Sequence, residues 1–381
     1  MKKDLTAIAL ILFSVCVLTA CQGSQKKKDL RDNKDISPQL TWEESMELTY
    51  ATEFQVDRYE GGYALLTIFQ DGQYLVVPEG KDPPRDLDKE ITVLQQPIEN
   101  MYLVASAVMD MFVSLDALDR VGFSGLQADS WYIDEAREAM EKGQILHAGS
   151  YAAPDYEQLV SKGCRLAVEN TMIYHTPEVK ERLEKLEIPV LVDHSSYESN
   201  PLGRTEWVKL YGVLAGEEAR AEEVFQGETK AFNTVDQGKK TGSTVAFFYI
   251  TTNGEVNVRR SSDYLPKMIE MAGGSYVFDH LGDEEDTMAS NVTMQMEEFY
   301  AAARDADYII YNSTTTDELA SVEDLLEKSS LLERFRAVRE GNVYCTTKNL
   351  YQSSMELGTI ISDMHKMLMG EEGMTYLYQL E

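Results

Sequence analysis

Two arginines stand side by side at Arg259-Arg260, a few residues past the strand-like run 244–250. Adjacent guanidinium groups repel unless an acidic neighbour or an anionic ligand lies opposite them, and their forked donors suit carboxylates and other planar oxyanions. Arg204 stands in the same relation to the apolar run that ends at Val192. Aromatic and amide side chains occupy comparable places: Gln96 before Pro97, Trp131-Tyr132 after Asp129-Ser130, Tyr174 after the run ending at Glu169, then Tyr264 and Gln352. Arginines among aromatic rings bind a flat or partly aromatic anion well, because ring faces and delocalised cations attract one another.

Catalytic patterns are missing. There is no GxSxG, HExxH or GxGxxG. Gly238-Lys239-Lys240-Thr241 has the end of a phosphate loop, but Asn233 stands where the upstream glycine belongs and the segment precedes its strand. Of His147, His175, His194, His280 and His365, His175 and His194 both follow strand-like runs and could reach a cleft, and two imidazoles are an incomplete metal set. The residues point to binding, not catalysis, with no resident metal or cofactor.

What positions these residues is a chain of 381 residues, 43% hydrophobic and 26% charged, with a net charge of −30. That is a globular composition long enough for two lobes. So acidic a surface repels polyphosphate, and no window interleaves basic and aromatic residues, which excludes nucleic acid as a partner. At the start, Met1-Lys2-Lys3-Asp4 precedes residues 5–18, apolar apart from Thr6 and Ser14 and too short for a comfortable transmembrane span. The end of this run, Leu18-Thr19-Ala20-Cys21, resembles a bacterial lipobox. The resemblance implies a signal peptide over 1–20, cleavage before Cys21 and lipid on its thiol. Residues 21–40, with Lys26, Lys27, Lys28, Arg31 and Lys34 against Asp29, Asp32 and Asp35, read as a solvated tether. Cys16 leaves with the signal, so Cys164 and Cys345 remain, far apart and each beside a strand-like run, as buried thiols.

Beyond residue 41, strands alternate with helices. Strands are expected at 73–77, 91–96, 144–146, 165–169 and 188–192, with helices at 100–118, 133–142, 154–162 and 177–186. Pro177 at a first turn favours the last of these. Two consecutive helices, 204–215 and 217–236, break the pattern before it resumes with strands at 244–250, 307–311 and 342–346 and helices at 263–272, 295–304 and 331–340. Strands separated by helices of this length imply mainly parallel sheets. The expected architecture is α/β: an N-terminal lobe at 41–216, a connecting helix at 217–238 and a C-terminal lobe at 239–381, with a ligand cleft between the lobes.

In order along the chain, Tyr151-Ala152-Ala153-Pro154-Asp155-Tyr156-Glu157, the helix-to-strand step from Leu159 to Val168, Pro201-Leu202-Gly203-Arg204-Thr205-Glu206-Trp207, Ala272-Gly273-Gly274 and Asp305-Ala306-Asp307-Tyr308-Ile309-Ile310-Tyr311 carry a resemblance. The chain resembles the helix-linked class of bacterial substrate-binding lipoproteins that feed ABC importers of iron siderophores, haem and cobalamin. It departs from that pattern at Cys164, where the family often has Pro. The resemblance implies a lipid-anchored receptor that closes only modestly around a ferric siderophore, with haem or cobalamin as the alternative, and delivers it to a permease dimer driven by a cytoplasmic ATPase. The ligand contacts would come from Gln96, Trp131, Tyr132, Tyr174, Arg204, Arg259, Arg260, Tyr264 and Gln352. In the resembled family an acidic residue opening a helix on each lobe pairs with permease arginines, and Glu157 and Glu297 match that pattern. The abundance of Tyr, 21 residues, leaves a surface carbohydrate-binding lipoprotein as the reading from a different class.

Overall fold

The computed structural model describes residues 34–233, 235, 240–282 and 290–381; the signal segment and Cys21 lie outside them. Strands β1 (Trp42–Ser45), β2 (Phe54–Tyr59), β3 (Tyr63–Ile68), β4 (Gly72–Val77) and β5 (Ile91–Gln95) form one sheet in chain order, antiparallel up to β4 and parallel between β4 and β5. Because both faces are covered, its strands read as near-continuous apolar runs such as Tyr63–Ile68 instead of alternating ones. Phe54, Val56, Leu66 and Val76 face the lobe core, while Tyr59, Leu65, Leu75 and Val77 face outward and are covered by Ile36.

That cover corrects the expected tether. Ile36 and Ser37 are buried, Lys34 lies 3.2 Å from Asp57, and the Tyr59 hydroxyl donates to the Lys34 carbonyl at 3.0 Å. Residues 34–40 therefore belong to the packed body.

The second sheet has β6 (Met101–Leu103), β7 (Val121–Ser124), β8 (Leu146–His147), β11 (Ala167–Asn170) and β12 (Val190–Asp193) in the order β12-β11-β6-β7-β8, all parallel. Between β8 and β11, β9 (Gly149–Ser150) and β10 (Ala153–Pro154) make a small antiparallel pair. Helix α1 (Ser106–Ser114) covers one face through Val108, Met109, Met111 and Phe112. Helices α3 (Tyr156–Ser161) and α4 (Pro177–Lys185) cover the other with Leu159, Val179 and Leu183, and α2 (Asp134–Glu141) follows β7. The helix expected at 100–118 is thus a strand and a shorter helix, since residues 101–103 are buried on both sides.

Helices α5 (Pro201–Glu206), α6 (Val208–Ala215) and α7 (Glu218–Asn233) lead to the other lobe. Gly216, at φ +78°, closes α6 in the left-handed conformation that glycine adopts without strain. Helix α7 is 16 residues long, about 24 Å at 1.5 Å per residue. It buries Ala221 and Phe225 in the N-terminal core and Phe232 in the C-terminal core.

The C-terminal lobe contains β13 (Thr244–Ile250), β14 (Val256–Arg259), α8 (Tyr264–Met271), β15 (Ser275–Tyr276), β16 (Asn291–Met294), α9 (Met296–Ala303), β17 (Tyr308–Tyr311), α10 (Val322–Lys328), α11 (Arg336–Glu340), β18 (Val343–Thr346), α12 (Leu357–Met369) and β19 (Leu377–Gln379). Its sheet runs β16-β14-β13-β17-β18-β19, with β15 beside β13. Strands β13, β17 and β18 are parallel, whereas β14, β16 and β19 join antiparallel at the sides. Residues 291–294 are strand β16, and α9, expected at 295–304, starts at Met296.

The lobes interlock. Leu202, from the N-terminal half, is fully buried in the C-terminal core, and Met355 enters the N-terminal core.

Candidate functional site

Open parallel sheets present their carboxyl ends to ligands, since the loops and helix N-termini there are free to vary. In the C-terminal lobe, a pocket of about 570 Å³ lies at the ends of β13, β17 and β18, lined among others by Thr251, Thr252, Thr314, Thr316, Lys328 and Lys348. Lys348 donates to the Thr316 carbonyl, and the Lys328 ammonium stands 5.8 Å from the Tyr311 ring centroid. Two lysine ammonium groups and five threonines share this wall with the carboxylate of Asp317, although the chain as a whole carries −30.

Next to it, on the lobe junction, the structure assembles four side chains into a cation–aromatic ladder. The Arg204 guanidinium lies 3.9 Å from the Tyr264 ring centroid, and that of Arg259 lies 4.7 Å from the Tyr351 centroid. Arg259 also pairs with Asp263 at 3.5 Å and donates to the Tyr351 hydroxyl, which accepts a second bond from Asn312 Nδ2 at 2.9 Å. Burial opposes the charge on Arg259, yet Tyr351 and Asp263 beside it hold its pKa above the ordinary value. Burial likewise pushes the Tyr264 hydroxyl up, against the lowering effect of Arg204 and Arg259. Asn312 in turn orients Thr314, accepting from its hydroxyl at 2.6 Å, so ladder and pocket are continuous.

The other expected contacts divide. Arg260 parts from Arg259: it is buried, and its Nη1 donates to the Gly282 carbonyl at 3.1 Å. Neighbouring residues of extended chain point to opposite sides, so only one of two adjacent arginines can join the ladder. Trp131 is a core residue, 1% exposed, with its indole N–H donating to Ser124 Oγ at 3.0 Å. Gln96 donates to the Val213 carbonyl at 3.0 Å, satisfying the last turn of α6.

Gln352 is a bridge between lobes: its Nε2 donates to the Ser130 carbonyl at 2.9 Å and its Oε1 accepts from the Tyr132 N–H at 2.8 Å. Tyr132, Met172 and Tyr174 remain exposed at the carboxyl ends of β7 and β11. The Tyr174 hydroxyl meets His194 Nε2 at 2.7 Å and Asp71 at 3.3 Å, and Asp71 pairs with Lys180 at 2.8 Å. This network ties Tyr174 to the β3–β4 turn of the first sheet. Among the described residues no cluster of His, Cys, Asp and Glu is arranged to hold a metal ion.

Sequence reasoning missed Tyr351, Asn312, Lys328 and Lys348. A signal was present for three of them, because Asn312 directly follows the strand-like run 307–311, and Lys348 and Tyr351 lie in the loop after 342–346. Also missed was Glu169, fully buried at the end of β11 with both carboxylate oxygens unpartnered; burial pushes it up to about 8.

Glu157 and Glu297 are exposed in the first turns of α3 and α9, and neither joins an ion pair among the described residues.

No family model matches the chain. An uncharacterized lipoprotein of Methanocaldococcus jannaschii is 23% identical over 97% of this chain and 93% of its own length. A second from the same organism is 21% identical over 87% of this chain and 86% of its own. Among solved structures, a periplasmic haem binding protein from Pseudomonas aeruginosa matches with a TM-score of 0.58 at 14% identity, covering 74% of this chain and 98% of that one. An ABC-type Fe3+-hydroxamate transport protein from Saccharomonospora viridis gives 0.54 at 16% identity, over 71% and 93%. A periplasmic vitamin B12 binding protein from Vibrio cholerae gives 0.53 at 12%, over 72% and 97%. The chain has the two-lobed α/β fold of periplasmic binding proteins.

Proposed function

We propose that this protein is a lipid-anchored extracytoplasmic receptor of an ABC importer, and that it captures a ferric siderophore or a related anionic, oxygen-rich metal chelate. The observation that carries this reading is the Arg204–Tyr264 and Arg259–Tyr351 ladder at the lobe junction, continuous with a lysine- and threonine-lined pocket in an otherwise strongly acidic protein. Cations held against rings recognise delocalised anions, and threonine hydroxyls answer the remaining oxygens. The named ligands of the structural neighbours, haem, vitamin B12 and Fe3+-hydroxamate, belong to one size range of metal complex. Haem or cobalamin is the second reading, favoured by the exposed Tyr132, Met172 and Tyr174, which offer apolar surface to a macrocycle.

Glu157 and Glu297 are the docking acids, one to each lobe, that meet arginines on a permease dimer. Cys21 carries the lipid that holds the packed body at the membrane. Native mass spectrometry of the purified protein with a mixed panel of ferrisiderophores, haem, cobalamin and oligosaccharides tests the ligand class. Retention of a ferric chelate supports the reading, and selective retention of an oligosaccharide overturns it.

A further inference from the structure

The chain from Gln352 to Gly358 makes more contacts with the opposite lobe than a passive linker needs. Besides the two Gln352 bonds, Ser354 Oγ donates to the Ala107 carbonyl at 2.5 Å, the Thr205 hydroxyl donates to the Ser354 carbonyl at 3.2 Å, and Met355 fills the N-terminal core. Three carboxyl groups then converge on the first turn of α12. Asp110, from α1 of the N-terminal lobe, accepts the Met355 N–H at 2.7 Å. Glu228, from α7, faces the backbone of Gly358, which favours its ionised form, and leaves Oε2 buried and unpartnered. Glu356 precedes the helix and accepts from the Tyr376 hydroxyl. The approach of α7 is tight enough that a Cβ at Gly358 would come within 2.8 Å of the Glu228 carbonyl oxygen.

No lysine or arginine neutralises these groups among the described residues. The other charge facing Asp110 is Glu135 of α2; on α12, His365 Nδ1 meets the Ala272 carbonyl at 2.8 Å, and Lys366 is 3.5 Å from Asp363, which itself holds the Thr375 and Tyr376 N–H groups. Helix N-termini favour one negative charge. Several unscreened carboxylates at one terminus repel each other, and protonation relieves that repulsion.

We propose that residues 352–358 are a latch between the lobes, which grips while Asp110 and Glu228 hold their protons and slackens as they ionise. Burial, with the neighbouring carboxylates after it, pushes both groups up to about 7. In an opened, hydrated latch they return to the ordinary carboxylate range near 4. The latched form therefore holds more protons between about pH 4 and pH 7, so its advantage is complete below that window and is lost as pH rises through it. The latch does not depend on which ligand the cleft takes, because every group in it belongs to the protein.

Hydrogen exchange of the full chain, read by mass spectrometry from pH 5.5 to 8 and corrected for intrinsic rates, tests this. Protection of the Met355 and Gly358 amides should fall roughly tenfold or more across the range, while Ile309 in the centre of β17 stays protected. In the Asp110→Asn/Glu228→Gln variant the latch amides should show the same protection at every pH. A flat profile in the wild type overturns the proposal, as does an equal fall in the variant. If the variant folds poorly, the wild-type profile of Met355 and Gly358 against Ile309 still decides the matter.

Discussion

Replacing Glu169 by Gln should remove a pH dependence from the stability of the whole N-terminal lobe. Glu169 sits at the end of β11, paired across the ladder with Val192, and is fully buried without a hydrogen bond to either oxygen. In water its carboxyl ionises near 4.5, and burial pushes that to about 8 in the folded protein. Between those values the folded chain holds a proton that the unfolded chain releases. Stability from this group is therefore complete below pH 4.5 and declines as pH rises through 8. At about 1.36 kcal/mol per pH unit, the difference amounts to roughly 3 to 6 kcal/mol once the pH exceeds 8, and to about two-thirds of that near pH 7. Glutamine has nearly the shape of the protonated acid but cannot ionise. Its unpaired amide adds a cost of about 1 to 3 kcal/mol that does not vary with pH. Urea unfolding of both proteins at half-unit steps from pH 5 to 8.5 should give curves that separate progressively, with the variant gaining on the wild type as pH rises. Parallel curves would show that Glu169 ionises without penalty, through water or a partner that relieves its isolation, and would refute the reasoning.

Glu206→Ala should cost about 3 to 5 kcal/mol in urea unfolding, because its carboxylate accepts from the Thr49, Tyr50 and Ala51 N–H groups and pairs with buried Lys209 at 3.2 Å. Arg204→Ala and Arg259→Ala should each weaken chelate binding by about 1.5 to 3 kcal/mol in calorimetric titration. Arg260→Ala should instead lower the unfolding midpoint with little change in affinity, since its guanidinium holds the Gly282 turn. Charge reversal of both Glu157 and Glu297 to Arg should abolish ligand-stimulated uptake by whole cells while leaving affinity unchanged, and normal uptake at wild-type expression would remove them from the docking surface.

Where local pattern and burial agree, the sequence was legible. Helix α4 shows Pro177 at its first turn and buries Val179 and Leu183 four residues apart, while β13 is an unbroken apolar run, so both were placed within two residues. Strands β1 and β2 were not read, and Asp57 illustrates why. It is buried in a strand because Ser45, Gln55 and Trp42 donate to it and Lys34 lies beside it, an arrangement that no window of neighbouring residues displays. The site divided along the same line. Arg204, Arg259 and Tyr264 could be named from their places after strands and in loops. Arg260 could not be told from Arg259, because the side to which each points depends on where β14 starts, and β14 itself was missed. The partners of Gln352 at Ser130 and Tyr132 are set by how one lobe meets the other, which sequence spacing does not encode.

The interlock of the lobes bears on how the protein can take up a large ligand. Leu202 and Met355 each sit in the core of the opposite lobe, and α7 buries side chains in both, so wide opening would expose apolar surface from two cores at once. At about 25 cal/mol per Å2, withdrawing even two such side chains costs several kcal/mol, which weighs against wide opening. The polar contacts at the lobe junction, where Gln352, Ser354, Asp110, Glu228 and Glu356 can exchange partners with water, are the cheaper place for the lobes to move. On the function proposed above, a bulky chelate would enter from the open side of the pocket. The Arg204 and Arg259 ladder and the latch ahead of α12 adjoin in the chain at Tyr351 and Gln352.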